Sequence, residues 1–419
     1  MIIKIEALNY RCLEYISQDV KSFELLIGPN ASGKTTFLDV IAFLSTMVKD
    51  GFESALNERT NNHEDLLFKK QGQGFELAVE LKMPDEISNQ IAREDLNILR
   101  YEVSVGYDES GKGGFVIREE KVLLAMEKNA EQKEFDFFPH YICPPKTIMT
   151  RSGEKGTQIL VSKTPHGNDN FSSEKYEKAG KGWVPSFKFG NLKSVLGNLP
   201  ADNEHFPASN WLKEYLTNGV QNFMLDSLAI RKASPPSKIR GFELDGSNLS
   251  WVVKRLKNDP ERFAMWIAHL QTALPELKDI KAVERPDDKY CYLIYEYNQG
   301  FEVPSWMVSD GTLRLTALTL PAYLPDSTGI FMVEEPENGI HPNALQAVFD
   351  SLSSVYDGQV FLASHSPVIL GLAKPDSVLC FSKCENGAAS IVRGSQHPQL
   401  KNWHGEINFE TLFANGVLG

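Results

Sequence analysis

Residues 28–36 read GPNASGKTT, a match to GxxxxGK[ST] with Gly28, Gly33, Lys34 and Thr35 at the fixed positions. Pro29, Asn30, Ala31, Ser32 and Thr36 complete the loop. Glycines let a backbone curl until its N–H groups point inward, and a helix N-terminus adds partial positive charge, so this spacing makes a cradle for phosphates. Lys34 would reach the outer phosphate oxygens, and Thr35 would offer its hydroxyl to Mg²⁺. Such a cradle also needs carboxylates to hold the metal and orient a water. The segment FMVEEPENGIHP supplies Glu334 for the first task and Glu335 for the second, because adjacent residues at a strand end point in different directions.

Two further segments complete a set. Ser309, Asp310 and Gly311 precede an apolar run of helical character, and Ser and Asp suit the cap of a helix whose N-terminus attracts anions. His365, in ASHSP, follows a short apolar run and stands at a strand end like Glu335. A lone histidine at a strand end is more often structural than catalytic, and it is the order and spacing of Ser309, Glu335 and His365 that change the weighting.

The elements that must position these residues are legible from periodicity. Residues 2–8 and 23–27 read as strands, the second leading directly into the Gly-rich loop. After Gly33, Phe37, Val40, Ile41, Leu44 and Val48 recur at helical spacing. Residues 75–81 and 101–107 alternate like half-buried strands, and a Gly-rich turn followed by FVIREEKVLL predicts a hairpin. Leu249, Val252, Val253 and Leu256 form one helical stripe; Phe263, Trp266, Ile267, Leu270 and Leu274 form another. The runs 329–333 and 359–364 lack alternation, as parallel strands buried on both faces do.

With these residues in view, the chain resembles the ABC-type ATPases that include SMC and RecF proteins, and most closely the ATPases related to the OLD family. The resemblance covers about residues 1–125 and 240–380. It implies an α/β P-loop fold: an ABC-type head with a mixed sheet and flanking helices, split into halves at 1–127 and 241–419, with an inserted lobe at 128–240. It further implies ATP and Mg²⁺ as cofactors, the metal held by Thr35, Glu334 and a glutamine, Gln73 or Gln71. Glu335 would polarise the attacking water, His365 would sense the γ-phosphate, and Lys34 would act with them. Two heads would sandwich ATP, with Ser309, Asp310 and Gly311 facing the P-loop of the other copy. Arg11 sits where related heads often place a nucleotide-contacting arginine. The chain departs from the pattern in two places: Glu334 replaces the usual aspartate, and SDG replaces SGG.

The composition bounds the rest. The 419 residues carry 43 Lys plus Arg against 55 Asp plus Glu, a net charge of −12, which argues against an electrostatically driven duplex binder. A hydrophobic share of 42% excludes disorder, collagen and small disulfide scaffolds. Five scattered cysteines without a CxxC pair, no signal-peptide pattern and no apolar run of membrane-spanning length predict a cytoplasmic protein. Lys175, Lys178, Lys181, Lys188 and Lys193 nevertheless interleave with Tyr176, Trp183, Phe187 and Phe189, which suits either a nucleic-acid path or a solvated loop. Arg231, Lys232, Lys238 and Arg240 form a second basic group around a Pro-rich turn. The apolar tail, NFETLFANGVLG, suits packing on the core or docking of a partner.

The middle segment lacks heptads, so a large coiled-coil ring is not expected. The stretch after His365 is too short for the nuclease domain of OLD proteins. By resemblance the chain is therefore expected to be the ATPase of a bacterial anti-phage system of the Septu, PARIS or abortive-infection kind. It would work as a homodimer or higher homo-oligomer, sensing DNA or an invader and controlling a separate nuclease or toxin. The alternatives are a RecF-like repair clamp and an ATP-binding scaffold with negligible hydrolysis.

Overall fold

The structure, a computed structural model, describes all residues except 94, 109–113, 128–134, 165–166, 176–184, 239–240, 326–327 and 402–419. β1 (Ile2–Tyr10), β2 (Leu13–Asp19), β4 (Gly74–Lys82), β5 (Ile98–Tyr107), β6 (Phe115–Ala125), β7 (Thr157–Lys163), β8 (Asp169–Phe171) and β9 (Ser186–Phe187) make an antiparallel sheet in the order β2-β1-β4-β5-β6-β7-β8-β9. The hairpin read from the sequence is β5–β6, paired from Ile98↔Ala125 to Tyr107↔Phe115.

A six-stranded sheet forms the second layer. It orders β10 (Val220–Phe223), β14 (Gly329–Glu334), β15 (Gly358–Ala363), β3 (Phe23–Ile27), β16 (Val378–Lys383) and β17 (Ala389–Arg393), parallel throughout except for β17. Its strands show why alternation was missing. Ile330 and Met332 enter the core shared with the antiparallel sheet, whereas Phe331 and Val333 enter a second core on the opposite face. Successive side chains point to opposite faces, so a sheet covered on both sides needs apolar residues at every position.

The helix Lys34–Lys49 fills the first core. Phe37, Val40, Ile41, Leu44 and Val48 are all buried, and Asp50 and Gly51 both donate to Thr46 O where the helix ends. The second core packs the expected helices Leu249–Leu256 and Pro260–Ala273 with Asp310–Thr319 and Leu345–Ser353. A small antiparallel sheet of β11 (Leu277–Glu284), β12 (Cys291–Tyr297) and β13 (Glu302–Pro304) adjoins it.

Residues 128–240 differ from the expected inserted lobe. β7 extends the antiparallel sheet, β10 forms the edge of the parallel one, and helix Pro207–Asn218 packs on the Lys34–Lys49 helix, where Ser45 Oγ donates to Leu216 O at 2.7 Å. Leu160, Val161, Phe171, Phe206 and Leu212 therefore belong to the same core as Ile5 and Phe37. Short elements separated by loops carry too few apolar repeats to register as periodicity, which is why sequence reading missed them.

Candidate functional site

The carboxyl ends of the parallel strands hold the sequence motifs. β3 runs into the loop 28–33, which is shaped by three residues at positive φ: Gly28 (148°), Ala31 (61°) and Gly33 (110°). A Cβ on Gly28 would stand 2.2 Å from Phe381 O, so backbone packing as well as φ requires glycine there. Helix Lys34–Lys49 has no side-chain cap, which leaves its first amides available to an anion. Ser32 Oγ is buried without a hydrogen-bond partner among the described residues.

Lys34 is 7% exposed, and its Nζ donates to Gly28 O (2.7 Å) and Pro29 O (3.0 Å). Burial lowers its pKa to about 8, while Glu334, Glu335 and Glu337 pull in the opposite direction. Thr35 Oγ1 donates to Glu334 Oε2 at 2.5 Å, so the hydroxyl and the carboxylate meet as sequence reading required. Hard oxygen donors from a threonine and one carboxylate, beside a phosphate cradle, fit Mg²⁺, which keeps several waters and takes phosphate oxygens as ligands. Among the described residues no group of three or more His, Cys, Asp or Glu could hold a metal ion.

Glu335 leaves β14 at φ 49°, a left-handed conformation that costs a non-glycine residue about 1 kcal/mol. Its N–H donates to Ala363 O (2.8 Å), and its Oε2 accepts from Asn338 Nδ2 (2.6 Å). His365 follows β15, and its N–H donates to Glu337 Oε1 (2.8 Å). A cleft of about 810 Å³ is lined by Arg11, Asn30–Thr36, Glu334, Glu335 and His365, together with Asp65, Lys69, Lys70 and Lys383. An adjoining groove of about 660 Å³ shares Asn30, Glu335 and His365 and continues past Asn338 and Pro367.

Other expected residues fall elsewhere. Gln71 and Gln73 are absent from the cleft wall; Lys69 and Lys70, left-handed at φ 52° and 58°, occupy it instead. That turn delivers Gln73 to the start of β4, where its carbonyl accepts from Tyr107 N–H, so it is not brought to the Thr35–Glu334 pair. Arg11 does reach the cleft, and its Nη1 donates to Asp39 Oδ2 (3.0 Å), which also accepts from Tyr10 OH (2.6 Å). Ser309 caps helix Asp310–Thr319 by accepting from Thr312 N–H (3.2 Å). Asp310 turns to Arg231, whose Nη2 donates at 2.6 Å, and Arg231 also bonds Trp306 O. None of Ser309, Asp310 and Gly311 lines the cleft of the same chain.

In the basic, aromatic stretch, Phe187 stacks on Phe189 at 5.5 Å, and Lys188 and Lys193 are exposed. Tyr176, Lys178, Lys181 and Trp183, like Arg240 and the tail from residue 402, lie outside the described residues. Sequence reading left Glu337, Asn338 and Asp39 without roles. Glu337 stands two residues after Glu335 within the quoted segment, but that two-residue spacing does not announce contact with another loop.

A family model described as "AAA domain, putative AbiEii toxin, Type IV TA system" matches residues 25–371. A crystal structure of the Smc head bound to the C-winged helix domain of ScpA is similar at 13% identity and a TM-score of 0.54, covering 93% of this chain and 97% of that one. The Smc head domain with an extended coiled coil, bound to the C-terminal domain of ScpA derived from Pyrococcus furiosus, gives 12% identity and a TM-score of 0.52, covering 93% and 95%. At these identities the likeness is one of fold. No curated protein sequence matches the chain.

Proposed function

The chain belongs to this AAA-domain family and has an SMC-head-like P-loop fold, and from that premise we propose that it hydrolyses ATP with Mg²⁺ and couples hydrolysis to association of two heads. The observation that carries the reading is the convergence of Lys34, the Thr35–Glu334 pair, Glu335 and His365 on one cleft. Mg²⁺, when bound, would offset phosphate charge. The chain's own groups do the rest. The loop amides and Lys34 bind phosphate oxygens, and the Glu335 carboxylate, held by Asn338, accepts a proton from the attacking water. His365 stands beside the same cleft, where an imidazole can contact the γ-phosphate.

Ser309–Gly311 lie outside that cleft, which supports a role in trans on a second copy's nucleotide. Around them stand exposed apolar side chains: Met307 (71% exposed), Leu228 (69%) and Trp306 (48%). Large exposed apolar side chains beside a helix N-terminus suit a surface that becomes covered. The setting proposed is defence: the head senses DNA or an invader and licenses a separate effector, a nuclease or a toxin. The AbiEii and type IV toxin–antitoxin description of the family points toward abortive infection. Among the described residues no helix is long and apolar enough to cross a membrane.

Size-exclusion chromatography with ATP and Mg²⁺ tests the association. Glu335→Gln should accumulate dimers or higher assemblies and Lys34→Ala should not; identical profiles would sink the sandwich. A pull-down from a native host would identify the effector, and recovery of recombination proteins instead would favour the repair clamp.

A further inference from the structure

Asp39 stands on the helix that begins at the phosphate loop, five residues after Lys34, and its carboxylate collects three donors from two other segments. At the β1–β2 turn, Tyr10 OH (2.6 Å) and Arg11 Nη1 (3.0 Å) both donate to Oδ2. Arg59 Nε donates to Oδ1 (2.7 Å), and Arg59 is itself fixed by Ala55 O (2.8 Å) and by the Phe43 ring, whose centroid lies 5.1 Å from the guanidinium carbon. Burial and the Asp39 charge hold the Tyr10 phenol well above its ordinary pKa, so it stays a donor. Two guanidiniums against one carboxylate leave a net positive charge. The Arg59 side chain is 8% exposed and the Arg11 side chain 32%, so it is Arg11 that presents this charge.

Arg11 meets the cleft from a defined side. Its N–H donates to Leu66 O (2.9 Å), just before the residues Leu67–Lys70 that line the cleft wall. The carbonyl of its neighbour Cys12 accepts from Ala389 N–H at the start of β17 (2.9 Å), and Cys12 Sγ would stand 3.1 Å from a Cβ on Gly33. In the parallel sheet β3, which leads into the phosphate loop, has β15 and β14 on one side and β16 and β17 on the other. Glu335 and His365 follow β14 and β15, so they stand on one flank of the loop and Arg11 on the opposite one. The γ-phosphate belongs to the flank of Glu335, whose carboxylate takes the proton of the attacking water; the flank of Arg11 is left to the α-phosphate and the nucleoside. Among the described residues Nε and Nη2 of Arg11 have no partner, which leaves charge-assisted donors for a phosphate oxygen there.

We infer that Asp39 is a positioning residue that, with Tyr10 and Arg59, holds Arg11 against the α-phosphate end of the bound nucleotide, so that this cluster sets nucleotide affinity and leaves the chemical step alone. The inference rests on the ATPase reading above and deepens it. The first turn of helix Lys34–Lys49 holds no acidic residue, and Asp39 lies beyond that turn, so its charge meets the arginines rather than the loop amides. A long side chain restrained before the nucleotide arrives gives up less conformational entropy when it binds.

The test is equilibrium binding of fluorescent ATP and ADP analogues, with steady-state turnover and thermal midpoint measured on the same variants. Asp39→Asn should weaken binding of both nucleotides about tenfold, raise KM to match, and keep kcat within about twofold. Arg11→Ala should weaken binding at least as much, and adding Asp39→Asn to it should cost no more than about twofold further, because a positioning residue then has nothing left to position. Tyr10→Phe removes one donor while keeping the ring and should weaken binding about threefold; it stands in, with the same comparison against Arg11→Ala, if Asp39→Asn fails to fold. Wild-type affinity in a folded Asp39→Asn, or in Tyr10→Phe where that variant stands in, overturns the inference alone. So does a full additional loss in the double variant, which would mark a purely structural role, and so does a loss confined to ATP, which would put Arg11 at the γ-phosphate. A wild type that binds ATP no better than Lys34→Ala overturns the ATPase reading, and the inference falls with it.

Discussion

Two clusters of acid and base in this chain use the same residue types to opposite ends. On the antiparallel sheet, Arg100 is 7% exposed and bonds Glu6, Glu80 (2.9 Å), Glu102 (2.8 Å) and Ile148 O. Burial alone would lower its pKa, but Glu6 and Glu102 outweigh that and raise it. Thr150 satisfies both oxygens of Glu102 from its N–H and hydroxyl. In the cleft, Lys34 has loop carbonyls as its hydrogen-bond partners while Glu334, Glu335 and Glu337 stand around it. Ser32 Oγ there, and Glu337 Oε2 beside the adjoining groove, have no hydrogen-bond partner among the described residues, and Glu335 is in a strained conformation. A saturated network holds a shape; an unsaturated one, on strained backbone, is poised to accept a ligand.

The largest effect expected on that contrast is in the cleft. Glu335→Gln should reduce ATP turnover at least a hundredfold while keeping nucleotide, and Lys34→Ala should lose nucleotide, as read by turnover and filter binding. If turnover survives in Glu335→Gln, the poised cluster is not the chemical one.

Stability should show the reverse order. Arg100→Ala strands buried carboxylates and should cost about 3–5 kcal/mol, whereas Lys34→Ala should change stability by less than about 1 kcal/mol. Urea unfolding of the two variants decides it, and equal losses would erase the distinction drawn here.

A third group sharpens what saturation means. Glu174 accepts from Ala208 N–H (2.6 Å) and Ser209 N–H (3.0 Å) at the start of helix Pro207–Asn218, yet burial raises its pKa to about 7 in spite of those bonds. Its folded pKa lies above the ordinary 4.5, so the folded state holds the proton longer. The contribution is fully present below pH 4.5 and is lost as pH rises through 7, on the order of 3 kcal/mol. Unfolding curves for wild type and Glu174→Gln should converge in pH dependence except across that window; parallel curves would remove Glu174 as the cause.

The smallest effect should come from Arg231→Ala. Its pair with Asp310 is partly exposed, and its loss should cost less than about 1 kcal/mol by thermal unfolding. A larger cost would place it with the Arg100 cluster.

Much of this was legible in the chain. GPNASGKTT, the EE pair and ASHSP announced their strand-end positions, because a buried parallel strand needs a continuous apolar run and a nucleotide loop needs its glycines. Residues 128–240, which the sequence presents as an inserted lobe, contribute β7, β10 and helix Pro207–Asn218 to the sheets and core; these elements are short and bury their apolar residues against distant partners. Gln73 was misplaced because nothing in KKQGQ shows that Lys69 and Lys70 both turn left-handed.

The sequence by itself determined the phosphate loop, Glu334, Glu335 and His365 and the strands that end there, since local spacing and apolar runs follow from backbone geometry within a few residues. Only the tertiary structure decided which carboxylates are saturated and which are poised. Glu102 and Glu337 are both glutamates in acidic surroundings. One is closed by Arg100 and Thr150, and the other accepts donors from a loop 27 and 28 residues away along the chain. Hydrogen-bond partners recruited across such distances depend on how two sheets and their connecting turns pack, and no local pattern of residues encodes that.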